Sequence, residues 1–363
     1  ITVSHNSIYR VPRSGINVSE GTWGGHIIEY NDVFDTVLET GDHGAFNSWG
    51  RDRFWHPERA EMDKLVKEHP NLYKADVLNP IIIRNNRFQC DHGWDIDLDD
   101  GSSNYKIYNN VALSGGLKLR EGFNRTVENN ILLNNSFHPH VWFENSDDTF
   151  RHNIVLASHK PILNNYWGNE VDKNFFTTEQ ALLKAQKLGL DSHSKFGDPK
   201  FIAPEKGNYQ VSKNSLALTV GFTNFPMDEF GVTSEKLKAK AEKPEFPNLY
   251  LNANDVSNSA DLELFDATFK SVMTLGEQSA LGIPEIAGAL ILDIVPNGKA
   301  HLSGLKKGDV ILRVIDSEFG GMDKITTIKD LLTSYRSRKW RGNLEVVIMR
   351  NQQEQLLVIN LLD

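Results

Sequence analysis

Short runs of alternating or β-branched residues dominate the first two thirds of the chain, broken every few positions by Asn, Gly, Ser or Asp, with no helical periodicity between them. Six of these runs align on one asparagine: "VSHNSIY", "IEYNDVF", "IRNNRFQ", "IYNNVAL", "VENNILL" and "FRHNIVL" place Asn6, Asn31, Asn86, Asn110, Asn130 and Asn153 in register. The spacing is a repeat of about 20 to 25 residues with one long interval, within the range of stacked-coil architectures. No recurring Leu framework is present, so the pattern predicts an all-β, right-handed parallel β-helix over residues 1–232, followed by a small α/β domain. Asn tolerates left-handed turns and can stack its amide on the next coil, so these six positions read as structural.

The long interval predicts an insertion over 44–80, "AFNSWGRDRFWHPERAEMDKLVKEHPNLYKADVLNP", with a short helix in "ERAEMDKLVKEH". Excursions of this kind often build a binding face. Trp49 and Arg51 in it suit a sugar, through ring stacking and guanidinium hydrogen bonds. A second helix is expected in "TTEQALLKAQKLGLD" and a charged, polar linker over 233–259.

The alternation also places a polar face. In "GWDIDLDD", Trp94, Ile96 and Leu98 are expected to point inward and Asp95, Asp97 and Asp99 outward; in "GLKLREG", Lys118 and Arg120 face out. In "HVWFENS", the same reasoning turns Val141 and Phe143 in and Trp142 and Glu144 out. These outward positions stack into one patch, joined by Glu121, by His138 and His140 of "SFHPH", and by Asp42 and His43 of "TGDHG". Coils about 4.8 Å apart put equivalent carboxylates near 5 Å on neighbouring coils and near 10 Å on alternate ones. Glycoside hydrolysis uses two carboxyl groups about 5 Å apart for retention or roughly 6.5 to 9.5 Å apart for inversion. The catalytic candidates are therefore Glu144, Glu121, Asp97 and Asp99, with Glu144, beside the apolar ring of Trp142, expected to be the acid. Asp42, His43, Trp49, Arg51, Asp95, Lys118, Arg120, His138, His140 and Trp142 are candidate substrate contacts.

Charge and composition narrow the class. The 363 residues carry a formal charge of −9, and the segment from Leu281 onward is nearly balanced, so the excess acid lies in the N-terminal part. No basic stripe suits nucleic acid, and no apolar run approaches the ~18 residues of a membrane span. The single Cys90 reads as a buried small hydrophobe. The acidic run lacks an EF-hand pattern, and alternation spreads its carboxylates along a strand; no cofactor or metal is assigned, with calcium the secondary option.

"ETGDHGAFNSWGRDRFW", "DHGWDIDLDDGSSNY", "LKLREGFNRTVENN" and "FHPHVWFENS", with "GLDSHSKFGDPKF" and "GNYQVSKNSLAL", resemble bacterial right-handed parallel β-helix carbohydrate-active enzymes, nearest to glycoside hydrolase families 141 and 120. The resemblance covers residues 1–232 and implies export to the periplasm or outside, with a polysaccharide or oligosaccharide as substrate. In family 120 an Asp on an "LWLD"-like strand and a Glu on a "VFVE"-like strand form the catalytic pair. That implies Glu144 as one member; Arg120 stands where the Asp would be, leaving Glu121, Asp97 or Asp99 as the other. "LKLREGFNRTVENN" is also similar to the catalytic strand of β-helix alginate lyases. There Arg120 would act with a Lys base from the preceding coil and an acid-bound calcium; Asp99 and Asp100 stand at that base position, and Lys118 is the substitute. A non-catalytic carbohydrate-binding solenoid is the third reading.

Residues 260–363 resemble a PDZ domain, carried by "GALILDIVPNGKAHLSGLKKGDVI" with Asp309 after Gly308. The resemblance implies peptide binding by strand addition, with a carboxylate loop around Gly282 to Leu290 and a groove helix from Thr327 to Tyr335, or a self-interaction with the first domain. The start "ITVSHNSIYR" lies inside a repeat, which predicts upstream coils and an export signal.

Overall fold

The computed structural model describes residues 1–20, 23–50, 53–247, 249, 261–317 and 320–361. The chain divides into two compact units, Ile1–Val256 and Ser257–Asp363.

In the first unit the parallel strands fall into three separate sheets of seven, eight and five strands, and the chain visits the three in turn. The five-stranded sheet carries the polar face. Its strands are Ile16–Ser19, Gly44–Trp49, Trp94–Leu98, Leu117–Leu119 and Phe137–Pro139, in that spatial order. The second unit holds a seven-stranded sheet whose pairs are antiparallel, with helices Leu275–Leu281 and Ile328–Arg338.

These elements correct the expected fold class. An all-β chain built as a single right-handed β-helix solenoid does not describe it: the parallel strands are split among three sheets, the second unit is antiparallel, and six α-helices among the described residues make the content mixed α/β. Sequence alternation is blind to this because it reports which face a side chain takes and not which sheet its strand joins.

The asparagine register is present. Asn6, Asn31, Asn86, Asn110 and Asn130 each donate from backbone N and from Nδ2 to the Oδ1 of the next, ending with Asn130 on Asn153. The ladder runs one step further, Asn153 donating to Asn174, which in turn donates to Asp191 Oδ1 at 2.8 Å. Each buried amide is thus used on both sides. Asn110→Ala strands donors and an acceptor in the interior and is expected to cost about 1–3 kcal/mol, read as a lower first-unit transition in thermal or urea unfolding.

Inside the sheets, a continuous apolar cluster runs from Ile16 and Phe46 through Ile96, Leu117 and Leu119 to Phe137, Phe150 and Phe176. Helix Glu179–Lys187, capped by the Thr178 hydroxyl, buries Ala181, Leu182 and Ala185 against that cluster. The insertion starts later than expected: Gly44–Trp49 is a full strand of the five-stranded sheet, and only the segment after it departs. Its helix, Arg59–Glu68, packs Met62 and Val66 with Phe54 onto Phe123 and Phe143.

In the second unit, Asp309 is buried in its turn, accepting from Lys306 N and held by Arg350 at 2.6 Å, so its role is structural. Thr274 with Glu277 and Thr327 with Asp330 form capping boxes that start the two helices.

Candidate functional site

Register on the five-stranded sheet fixes two outward rows. The first is Asn17, Asn47, Asp97, Lys118 and His138, paired strand by strand. Two residues on, the same register brings Ser19, Trp49, Asp99, Arg120 and His140 into line. Ile96, Leu98, Leu117 and Leu119 on the opposite face lock these rows to the core.

At the centre Lys118 Nζ lies 2.9 Å from Asp97 Oδ1 and 3.1 Å from Asp99 Oδ1, with Lys118 and Asp97 wholly buried and Asp99 one fifth exposed. Its ammonium also sits 5.3 Å from the centre of the Trp94 ring. Burial disfavours the charge on Lys118, but the facing Asp97, Asp99 and Asp42 outweigh it and hold the amine protonated. For Asp97 burial dominates over the Lys118 attraction and pushes the carboxyl up to about 8. For Asp99 the balance reverses: burial is outweighed by Lys118 and Arg120, which keep it ionised below the usual carboxylate range. One ammonium thus serves two carboxyls, of which the deeper keeps its proton and the shallower its charge.

Arg120 spans the next turn, 2.7 Å from Asp100, 2.9 Å from Glu121 and 3.9 Å from Asp99. Asp42 enters from the loop before Gly44, and oxygens of Asp42, Asp97 and Asp99 lie within 4.8 Å of one another. Beside it His43 is reached by Arg13, whose Nε lies 2.8 Å from Nε2, and its pKa is lowered by burial and by Arg13. A Cβ on Gly93 would stand 2.1 Å from the His43 carbonyl oxygen, so only glycine lets the loop carrying His43 lie this close to the Trp94 strand.

Several expected positions are corrected. Trp142 is fully buried in the apolar core instead of facing a sugar, and its indole N–H donates to the Leu119 carbonyl. Val141 takes φ 57°, which ends the alternation and swings Trp142 inward, while Phe143 goes under the insertion helix. Glu144 lies off both rows, half exposed and paired with Lys67 of that helix at 2.9 Å, so it is not the acid of this patch. Asp95 does not face out either. Its carboxylate accepts from the backbone of Cys90, Ser114 and Gly116, and burial pushes it up to about 7. The Asp95 and Ile96 amides both donate to the Gly116 carbonyl, an irregularity that leaves Trp94 beside Lys118, His138 and His140 instead of in the core. Glu121 is buried against Arg120 and does not present a free nucleophile. Arg51 lies outside the described residues.

The structure therefore brings together Asp42, His43, Trp49, Asp97, Asp99, Lys118, Arg120, His138 and His140. It adds Arg13, Asn17 and Asn47, which the sequence did not single out, and Trp94, which the alternation turned inward. Asn17 and Asn47 could have been found by extending the alternation back over the two preceding strands through "AFNSW" and "GINVSE"; Arg13 has no such signal.

The buried acids make a pH prediction. Asp97 near 8, and Asp95 and Asp100, raised by burial to about 7, bind protons more tightly folded than unfolded. Their contribution is complete below the unfolded carboxylate pKa and disappears as pH rises through about 7 to 8, so the first-unit thermal midpoint is expected to fall from weakly acidic to weakly alkaline pH. Asp97→Asn should flatten that slope.

No protein-family model matches this chain, and no curated protein matches it. Among the described residues no helix is long and apolar enough to cross a membrane.

Proposed function

We propose that the chain is a glycoside hydrolase, with Asp99 as the ionised nucleophile and Asp42 as its acid/base partner. The observation that carries the reading is the spacing: the carboxylates of Asp42 and Asp99 approach within 4.8 Å, which suits the retaining mechanism with its pair about 5 Å apart. Asp42 is exposed and Asp99 partly so, whereas Asp97 is sealed beneath Lys118 and cannot touch a substrate. Trp49, next to Asp99 in register and half-buried, supplies a ring face for a sugar.

In this scheme Asp99 attacks the anomeric carbon while Asp42 gives its proton to the leaving oxygen; Asp42 then takes a proton from water as water displaces Asp99. Lys118 and Arg120 favour the free Asp99 carboxylate, which attacks in the first step and departs in the second; between the two it is a glycosyl ester. The lyase alternative needs a neutral amine as base, and Lys118 is buried and held protonated by its carboxylates. Its ammonium also stands at the carboxylates that a calcium ion would need. Asp42→Gly should lose turnover of poor leaving groups and recover with azide on an activated aryl glycoside, giving a glycosyl azide of retained configuration. An inverted product would rule out the assignment.

The reading extends to export, which action on a polymeric carbohydrate substrate calls for. For the second unit, the PDZ-like sequence supports peptide capture along helix Ile328–Arg338, with the loop after Gly282, itself left-handed at φ 62°, as the carboxylate site.

A further inference from the structure

The outward row of the eight-stranded sheet changes character along its length. It begins with Ser7, Asp32 and Arg87, paired strand by strand, and continues in the same register through Val111, Ile131, Ile154 and Phe175. The last four are apolar and pack with Tyr209, Val211 and Ala217, whereas the side chains on the opposite face join the interior cluster. The first three instead line a cavity of about 630 Å³, walled by residues 206–208 and by the chain over 227–246. That covering chain is pinned to the sheet where Gly231 N donates to the Tyr30 carbonyl at 2.8 Å and Val232 N to Ser7 Oγ at 3.3 Å. A cavity of this size suits a small molecule.

Arg87 is the charged group set deepest in this wall, 7% exposed, with Asp32 at 3%. Its Nε and Nη2 both donate to Asp32, Nε at 2.9 Å, and the rings of Phe230 and Phe246 lie over the guanidinium with centres 5.3 and 5.1 Å away. Nη1 has no hydrogen-bonding partner among the described residues, yet it keeps accessible surface, which opens on the cavity that Arg87 lines. Four cationic side chains, Arg87, Lys206, Lys238 and Lys243, face three acids, Asp32, Asp228 and Glu242, in a chain whose formal charge is −9. Asp32 is taken by Arg87 and Glu242 by Arg10 at 2.8 Å, while Lys238 lies 3.4 Å from Glu235. Lys206 and Lys243, both exposed at the rim, form no ion pair among the described residues, so one positive charge is left in excess after Asp228 is counted.

We propose that this cavity binds a small organic monocarboxylate, its head on Arg87 Nη1 and its apolar body against Met227, Val232 and Phe246. The N–H groups of Nη1 can only donate, and a charged donor is best met by an anionic acceptor. Asp32 behind the guanidinium and Asp228 at the rim oppose a second negative charge, which favours a carboxylate over a phosphate dianion. A purely structural role does not account for the pair: the next four strands close the same row with apolar residues, and burying an Arg–Asp pair in their place is costly. The cavity lies on the eight-stranded sheet and the hydrolase candidates on the five-stranded one, so the two readings are independent.

The test is calorimetric titration of the full chain with benzoate, phenylacetate and hexanoate at constant ionic strength, with phenylacetamide and inorganic phosphate as controls. At least one of the three acids is expected to bind, about 10-fold or more tighter than phosphate, and phenylacetamide is expected not to. Arg87→Lys keeps a cation for Asp32 but removes Nη1, and should weaken binding by about 10-fold or more, as loss of a charge-assisted hydrogen bond implies. Lys206→Gln combined with Lys243→Gln should weaken it several-fold and flatten its salt dependence. Binding by none of the acids, equal binding of phosphate or phenylacetamide, or unchanged affinity in either variant at a native thermal midpoint overturns the proposal. If Arg87→Lys does not fold, a crystal structure of the wild-type chain with the tightest acid decides: a carboxylate on Arg87 Nη1 supports the site, and one lodged elsewhere refutes it. Polysaccharide digestion is measured without these acids, so the loss of either reading leaves the other standing.

Discussion

Asp99→Asn is expected to lower kcat on a glycan by about 10³-fold or more, equivalent to roughly 4 kcal/mol of transition-state stabilisation, while the protein stays folded. The amide nearly matches the carboxylate in shape and cannot attack an anomeric carbon. Asp99 is also the carboxylate that Lys118 and Arg120 hold ionised, so its charge is an investment of the site and not an accident of exposure. Folding should survive because Asp97 remains to pair with Lys118 at 2.9 Å. Circular dichroism and a thermal scan alongside the rate measurement separate the two effects.

The second large effect concerns stability. Lys118→Met leaves Asp97 and Asp99 facing each other with Arg120, 3.9 Å from Asp99, as the remaining nearby cation, in a site where Lys118 and Asp97 see no solvent. Breaking a buried pair by removing one partner typically costs about 3–5 kcal/mol, because a charge stays behind in a poorly solvating place. Asp97 can take up a proton and limit the loss, but Asp99 is held ionised mainly by the lysine that is gone. Adding Asp97→Leu to Lys118→Met should recover part of the loss, since an apolar pair of similar volume needs no counter-charge. Urea unfolding of the first unit in wild type, both single variants and the double variant gives the coupling directly. A Lys118→Met protein as stable as wild type would mean that the amine does not hold the carboxylates together.

The sequence made parts of this site legible and hid others for identifiable reasons. The alternation through "DIDLDD" and "LKLRE" placed Asp97, Asp99, Lys118 and Arg120 on one face, because Ile96, Leu98, Leu117 and Leu119 must reach the core. It failed at "FHPHVWFE", where the alternating pattern continues for eight residues and fits equally well when shifted by four. The chain resolves that choice with Phe137 in the core, Val141 in a left-handed turn and Trp142 filling the interior, contacts that no periodicity carries. Trp142 and Glu144 were thereby assigned to a row that His138 and His140 occupy. The misreading of Asp95 has a similar origin, since a doubled donation to the Gly116 carbonyl shifts the phase of the strand at its first residues. At the level of the fold, the asparagine spacing reported a repeat faithfully, but the division into three parallel sheets and a mixed α/β content depends on where turns fall between runs.

The most direct test of the account is digestion of a panel of neutral and uronate polysaccharides by wild type and Asp99→Asn, following new reducing ends and the ultraviolet absorbance of unsaturated uronate together. The account predicts reducing ends from a glycan of the panel, no absorbance rise, and loss of both product and rate in Asp99→Asn. Absorbance rising with the reducing ends, or equal cleavage by the variant, would contradict it.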